Sequence, residues 1–165
     1  LTGERFNNGE GGIEIGENIY FAPINNFIKF NKEKREELIL TQIEFFIEEL
    51  SKFNQKIYIV MPTPEMGWEI PNNLARILYF KKELKKETLS ISRDIFIDRN
   101  KKIINFFKKL KKKYDLVLIY PDDIFCDKIR CYAHKKNNPL FFDDDHLSEL
   151  GAKLISQKIL NAINK

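Results

Sequence analysis

The sequence predicts an α/β protein: a mostly parallel sheet covered by helices on both faces, a three-layer α/β/α sandwich. Two short apolar runs carry that prediction. Lys56-Ile57-Tyr58-Ile59-Val60-Met61-Pro62 and Asp115-Leu116-Val117-Leu118-Ile119-Tyr120-Pro121 are both rich in aliphatic residues and both stopped by proline, as buried strands are. Long segments of helical periodicity separate and flank them. Strands joined through helices cross over right-handedly, which lays them parallel and covers both faces of the sheet.

The elements follow in chain order. Residues 1–30 are rich in Gly and Asn and read as irregular. Asn31 is placed to cap a helix that runs to about Phe53, with Ile39, Ile43, Phe46, Ile47 and Leu50 at helical spacing. After the first strand, Thr63 to Pro71 is a loop punctuated by Pro64, Gly67 and Pro71. A helix is expected from Asn72 to about Lys86, then a break near Thr88 to Ser90. Ser92 can cap the next helix, whose apolar face includes Ile95, Ile103, Phe106, Phe107 and Leu110. The second strand leads into a long loop, 122–139. Leu140 to Phe142 reads as a short strand or extended entry. A last helix spans about Ser148 to Ala162, with Leu147, Leu150, Leu154, Ile155, Ile159 and Ile163 on its buried stripe. In open parallel sheets, sites form beyond the carboxyl ends of the strands. Loops 63–71, 122–138 and 143–146 are therefore expected to converge on one rim.

The whole is one domain, residues 1–165, long enough for a real core. With 43% hydrophobic and 32% charged residues, it has an ordinary globular profile. No apolar run approaches the roughly 18 residues that cross a bilayer. The net charge of +4 is mild, and lysines alternate with glutamates along the helices, so the charge reads as solvated helix faces and no nucleic-acid partner is expected. The chain starts at Leu1, not Met, and reads as a segment whose upstream part lies elsewhere. Two cysteines, Cys126 and Cys131, stand close together in the long loop. Spacing alone leaves open a local disulfide or two separate thiols.

The sharpest local feature is Phe142-Asp143-Asp144-Asp145-His146-Leu147-Ser148-Glu149-Leu150-Gly151-Ala152. An Asp three residues before a His can fold its carboxylate back onto the ring. A carboxylate that accepts from Nδ1–H fixes the tautomer and leaves Nε2 to take a proton from a hydroxyl. The residues by themselves leave three readings. Asp143 and His146 are two members of a catalytic triad; or the acids and Ser148 only cap the helix and suit its dipole; or the acids with His146 hold a hard cation. Consecutive acids seldom all face one ion, so no metal and no cofactor are expected.

Asp143-x-x-His146-Leu147-Ser148-x-x-Gly151-Ala152 resembles the last block of the SGNH (GDSL-like) hydrolases, whose fold is flavodoxin-like. The closest resemblance is to the SGNH domain that follows acyltransferase-3 membrane domains in bacterial O-acetyltransferases of surface polysaccharides. Phe6-Asn7-Asn8-Gly9-Glu10-Gly11-Gly12, the loop Met61-Pro62-Thr63-Pro64-Glu65-Met66-Gly67-Trp68-Glu69-Ile70-Pro71 and Pro121-x-x-x-Phe125-Cys126 resemble that subgroup in the same order. The resemblance implies that Asp143 is the orienting acid and His146 the base. It also implies a Cys126–Cys131 disulfide. Asn7, Asn8 and Gly9 become candidates to line the site or donate to an oxyanion, although Asn and Gly together also make a plain turn. Pro62, Pro64 and Glu65 match a family loop with no assigned role, and Trp68 is read as packing.

One part of the pattern is missing. The Gly-Asp-Ser nucleophile block belongs on the first strand of the family, and no such triplet occurs in the sequence. Ser51, Ser90, Ser92, Ser148 and Ser156 do not sit at strand-end elbows. The expectation is therefore an N-terminally incomplete domain, with the nucleophile strand upstream of Leu1. The function implied is transfer of an acyl group to hydroxyls of bacterial cell-surface polysaccharide. The acyl donor would be delivered by an upstream membrane acyltransferase domain, at the periplasmic face of the inner membrane, and this segment would need no membrane contact of its own. The alternatives are a free-standing SGNH esterase or lipase, and a non-catalytic glycan- or protein-binding remnant of the fold.

Overall fold

A computed structural model describes residues 32–53, 55–80 and 83–164. The expected cap Asn31 and the irregular 1–30 segment lie outside the described residues. The elements are α1 (Lys32–Ser51), β1 (Ile57–Val60), α2 (Ile70–Tyr79), β2 (Ser90–Ser92), α3 (Arg93–Leu110), β3 (Leu116–Ile119), α4 (Asp122–Phe125), β4 (Arg130–Tyr132), β5 (His134–Lys135), β6 (Asn138–Pro139) and α5 (Glu149–Ile163).

The two apolar runs pair in parallel, Ile57 with Leu116 through Val60 with Ile119. The chain is thus an α/β protein with a parallel strand pair. Two features of the pairing were not expected. The break before Ser92 is a strand, β2, antiparallel to β4, with Ile91 opposite Cys131. The long loop 122–139 contains α4, β4 and a β5–β6 hairpin. Conversely, the expected strand at Leu140 to Phe142 is reduced to a single antiparallel bridge between Phe141 and Leu147.

Helix boundaries follow local chemistry. Ser92 caps α3 by accepting from the Asp94 N–H at 3.2 Å, and Ser148 caps α5 by accepting from the Gly151 N–H at 3.2 Å. Helix α2 begins at Ile70, not Asn72, because Pro71 falls in the first turn, where its missing N–H costs nothing. It stops at Tyr79, short of the expected Lys86; residues 83–85 have no regular structure and 86–89 form turns. On α1, Phe46 was expected on the buried stripe but is 63% exposed. Ile47, expected beside it, is buried and packs with Ile43.

Two apolar clusters form the core. One joins Ile47 of α1, Ile104, Phe107 and Leu110 of α3, and Leu116 and Leu118 of β3. The other gathers Met66, Ile70, Ile91, Phe96, Phe125, Cys131, Leu140, Phe141 and Ile155, with Trp68 packed against it. Trp68 therefore serves packing, as expected. This second cluster is the floor on which the 143–146 turn rests.

Candidate active site

The turn is built from its own backbone. The Asp143 Oδ1 atom accepts from the N–H of Asp145 at 3.0 Å and from the N–H of His146 at 2.7 Å. This is the loop habit of Asp, whose short carboxylate bonds the backbone two or three residues on. The Phe142 N–H donates to the His146 carbonyl at 2.7 Å and closes the turn. From the far side, the Met66 N–H donates to the Asp144 carbonyl at 2.6 Å. The loop after β1 is thereby joined to the 143–146 turn, the first two of the three loops expected at one rim. The 122–138 segment pairs Asp122 with Arg93 at 2.9 Å and Asp123 with Lys158 at 2.7 Å, and it reaches the turn through the residues before it, where Phe125 packs on Phe141 and the Ala133 carbonyl accepts from the Leu140 N–H.

The second oxygen of Asp143 faces the His146 ring. Oδ2 lies 2.8 Å from His146 Nδ1. A carboxylate can only accept, so Nδ1 carries the proton and Nε2 holds the free lone pair. The His146 side chain is 76% exposed, which leaves the far edge of the ring open to a reactant. Asp145 Oδ1 also stands 2.8 Å from Nδ1, so two carboxylates flank one N–H. The proton is directed to Asp143, and Asp145 adds negative charge beside it.

The electrostatics follow. The Asp143 hydrogen bond, then the charges of Asp145 and Asp143, raise the His146 pKa above its ordinary value. Burial opposes ionisation of Asp143, but the two backbone N–H groups and the His146 ring outweigh it and lower its pKa. Asp145 is pushed the other way, by burial first and by the Asp144 charge next. One ligand atom each from Asp143, Asp145 and His146 lies within 4.8 Å of the others, so among the described residues these three could hold a cation. The ring nitrogen nearest the acids is already committed to Asp143.

Sequence reasoning found Asp143 and His146, and the structure brings them together. Cys126 and Cys131 are joined by a disulfide. Asn7, Asn8 and Gly9 lie outside the described residues. Ser148 is a helix cap whose Oγ donates to the Pro139 carbonyl at 2.8 Å, while Ser51 and Ser90 donate to the carbonyls of Glu48 and Glu87. Three contributions were not foreseen: the Met66 N–H, the second carboxylate of Asp145, and an ion pair of 2.7 Å between Glu65 and Arg99. Glu65 stood out only as part of a proline-rich loop. Burial raises its pKa, against the pull of Arg99.

A family described as the SGNH domain fused to AT3 domains matches residues 4–161. The chain belongs to the SGNH domain family. No curated protein and no solved structure gives a significant match. Family membership makes this an acyltransferase-associated SGNH domain, with the α/β fold that its parallel pair displays. No helix among the described residues of the SGNH domain is long and apolar enough to cross a membrane.

Proposed function

We propose that this SGNH domain supplies the acid and base of a Ser-His-Asp triad in an O-acyltransferase that acetylates hydroxyls of bacterial cell-surface polysaccharide. The observation that carries the reading is the Asp143–His146 hydrogen bond of 2.8 Å, in a turn pinned from both sides. The serine comes from a strand upstream of Leu1, which completes a three-layer sandwich around β1 and β3. Its hydroxyl attacks the acyl carbonyl, and His146 Nε2 takes the proton. Asp143 keeps the ring in the reactive tautomer and stabilises the imidazolium. His146 passes that proton to the donor's leaving group as the C–O or C–S bond to it breaks; the neutral ring then deprotonates the sugar hydroxyl that attacks the acyl-serine, and returns the proton to the departing serine oxygen. Asn7, Asn8 and Gly9 are proposed to line the site and to offer donors to the oxyanion. The fusion partners named for the family support a membrane acyltransferase domain as the source of the acyl group, with transfer at the periplasmic face of the inner membrane.

The test is the O-acetyl content of surface polysaccharide in cells carrying the full-length protein. His146→Ala abolishes acetylation at unchanged protein level, and Asp143→Asn lowers the rate by roughly four orders of magnitude, as loss of the orienting acid does in triads. The isolated 165-residue chain turns over no p-nitrophenyl acetate. Undiminished acetylation with His146→Ala would refute the triad. Hydrolysis without transfer would instead make the protein an esterase, and glycan binding indifferent to Asp143→Asn would make it a binding module.

A further inference from the structure

The Asp143–His146 turn closes a short hairpin, and the register of that hairpin decides which side chains share a face. Phe141 and Leu147 form its antiparallel bridge. On one side of the bridge the Ser148 N–H donates to the Leu140 carbonyl at 3.0 Å; on the other the Phe142 N–H donates to the His146 carbonyl at 2.7 Å. Phe142 therefore stands directly opposite His146, one step beyond the bridge. Residues opposite each other in an antiparallel pair project to the same face, and successive residues alternate.

Burial agrees with that register. Phe141 is fully buried in the second core cluster, its ring 5.4 Å from that of Phe125, and Leu147 packs against the same cluster. Phe142 and His146 face the other way: Phe142 is 73% exposed, and the His146 side chain is exposed as well. Opposed side chains in such a pair have Cβ atoms about 5 Å apart. A large apolar ring thus stands beside the imidazole on the open side of the turn.

A single exposed Phe is ordinary on a protein surface. This one is held next to the base, by its own N–H and by the burial of its neighbour Phe141, where whatever His146 deprotonates has to lie. Such a fixed ring loses little freedom when it is covered. The occupant must bring a hydroxyl to the imidazole and an apolar surface to the phenyl ring. A sugar in its ring form has both: hydroxyls around the rim, and C–H bonds on its flat faces. Water offers no such surface, and an acetyl group is too small to cover the ring.

We propose that Phe142 is the acceptor platform of the transfer reaction: one face of the sugar ring stacks on Phe142 while the reacting hydroxyl lies at His146 Nε2. The inference rests on the triad reading and names the residue that favours a sugar hydroxyl over water at the acyl-serine. Stacking concentrates the sugar at the base and excludes water from it, so Phe142 acts on the second half of the reaction, after the acyl group has reached the serine.

The test is how the acyl-serine divides between sugar and water. Full-length protein receives p-nitrophenyl acetate as donor and alkali-deacetylated surface polysaccharide as acceptor, below saturation, and acetylated polysaccharide and free acetate are measured together. Phe142→Ala is expected to lower the ratio of transfer to hydrolysis about tenfold, the scale of uncovering one face of a Phe ring. Phe142→Leu, apolar but without a flat face, lowers it also, and Phe142→Tyr keeps the parent ratio. A turn disturbed by the substitution slows both products alike and leaves the ratio where it was. An unchanged ratio in Phe142→Ala, whether the two products hold steady or fall together, would overturn the platform and make Phe142 a packing residue. His146→Ala separates this failure from that of the triad: loss of both products upholds the base whatever Phe142 does, and undiminished products overturn the triad and the platform with it.

Discussion

Gly151 sits in the first turn of α5, where replacing glycine with alanine ordinarily stabilises a helix by about 1 kcal/mol. In this fold the sign reverses. A Cβ on Gly151 would stand 2.2 Å from the Leu140 carbonyl oxygen and 3.1 Å from a Leu147 methyl. The oxygen is backbone, and it already accepts from the Ser148 N–H at 3.0 Å, while the Leu140 N–H donates to Ala133 at 2.8 Å. Restoring van der Waals distance requires a shift of about an ångström. Overpacking on this scale costs roughly 1–3 kcal/mol, and a weakened hydrogen bond adds about 1 kcal/mol. Set against the helix gain, Gly151→Ala is expected to destabilise by about 1–3 kcal/mol. The strain falls between Leu140 and Ser148, the stretch that carries Asp143 and His146. A misplacement of that size costs about a hundredfold in turnover. Urea denaturation of the chain and acetyl transfer by the full-length protein measure the two effects. A variant at least as stable as the parent, with undiminished transfer, would refute this account of how α5 positions the turn.

Three other predictions concern the turn and its supports. The raised pKa of His146 keeps the ring protonated to higher pH, and only the neutral ring acts as base, so transfer should rise with pH through a midpoint above 6.5. Asp143→Asn should move that midpoint down in a pH–rate profile; an unmoved midpoint would dissociate the two residues. Removing the disulfide with Cys126→Ala and Cys131→Ala frees a short loop, worth about 2 kcal/mol by loop-closure entropy, and thermal denaturation should show a loss of roughly 4–8 °C. Arg99→Gln leaves Glu65 partly buried without its cation and loosens the loop that delivers the Met66 N–H to Asp144. Amide hydrogen exchange at Met66 should accelerate in that variant while α3 stays protected.

The elements legible in the sequence are those whose signals are local. Each parallel strand is an aliphatic run ended by proline, and Ser92 and Ser148 announce their helices by side-chain chemistry alone. The Asp-x-x-His spacing is likewise local, since the carboxylate returns to a ring three residues away. What stayed hidden depends on distant partners. Strand β2 is three residues long and exists because β4 lies beside it, forty residues on. The Met66 N–H has no sequence signature, because any non-proline backbone offers one. Phe46 and Ile47 are equally apolar in a linear reading, and only the packed neighbours of α1 decide which one turns inward. The acidic stretch holds both a cap and a carboxylate–imidazole pair: Ser148 accepts from the Gly151 N–H, and Asp143 accepts from the His146 ring.

The orientation of one imidazole bears the weight of the account, and nitrogen-15 NMR of the labelled chain reads it directly. Above the pKa, the His146 resonances should report a proton on Nδ1 and a bare Nε2, and Asp143→Asn should erase that preference. A neutral ring protonated on Nε2, unchanged by Asp143→Asn, would contradict the assignment of His146 as the base.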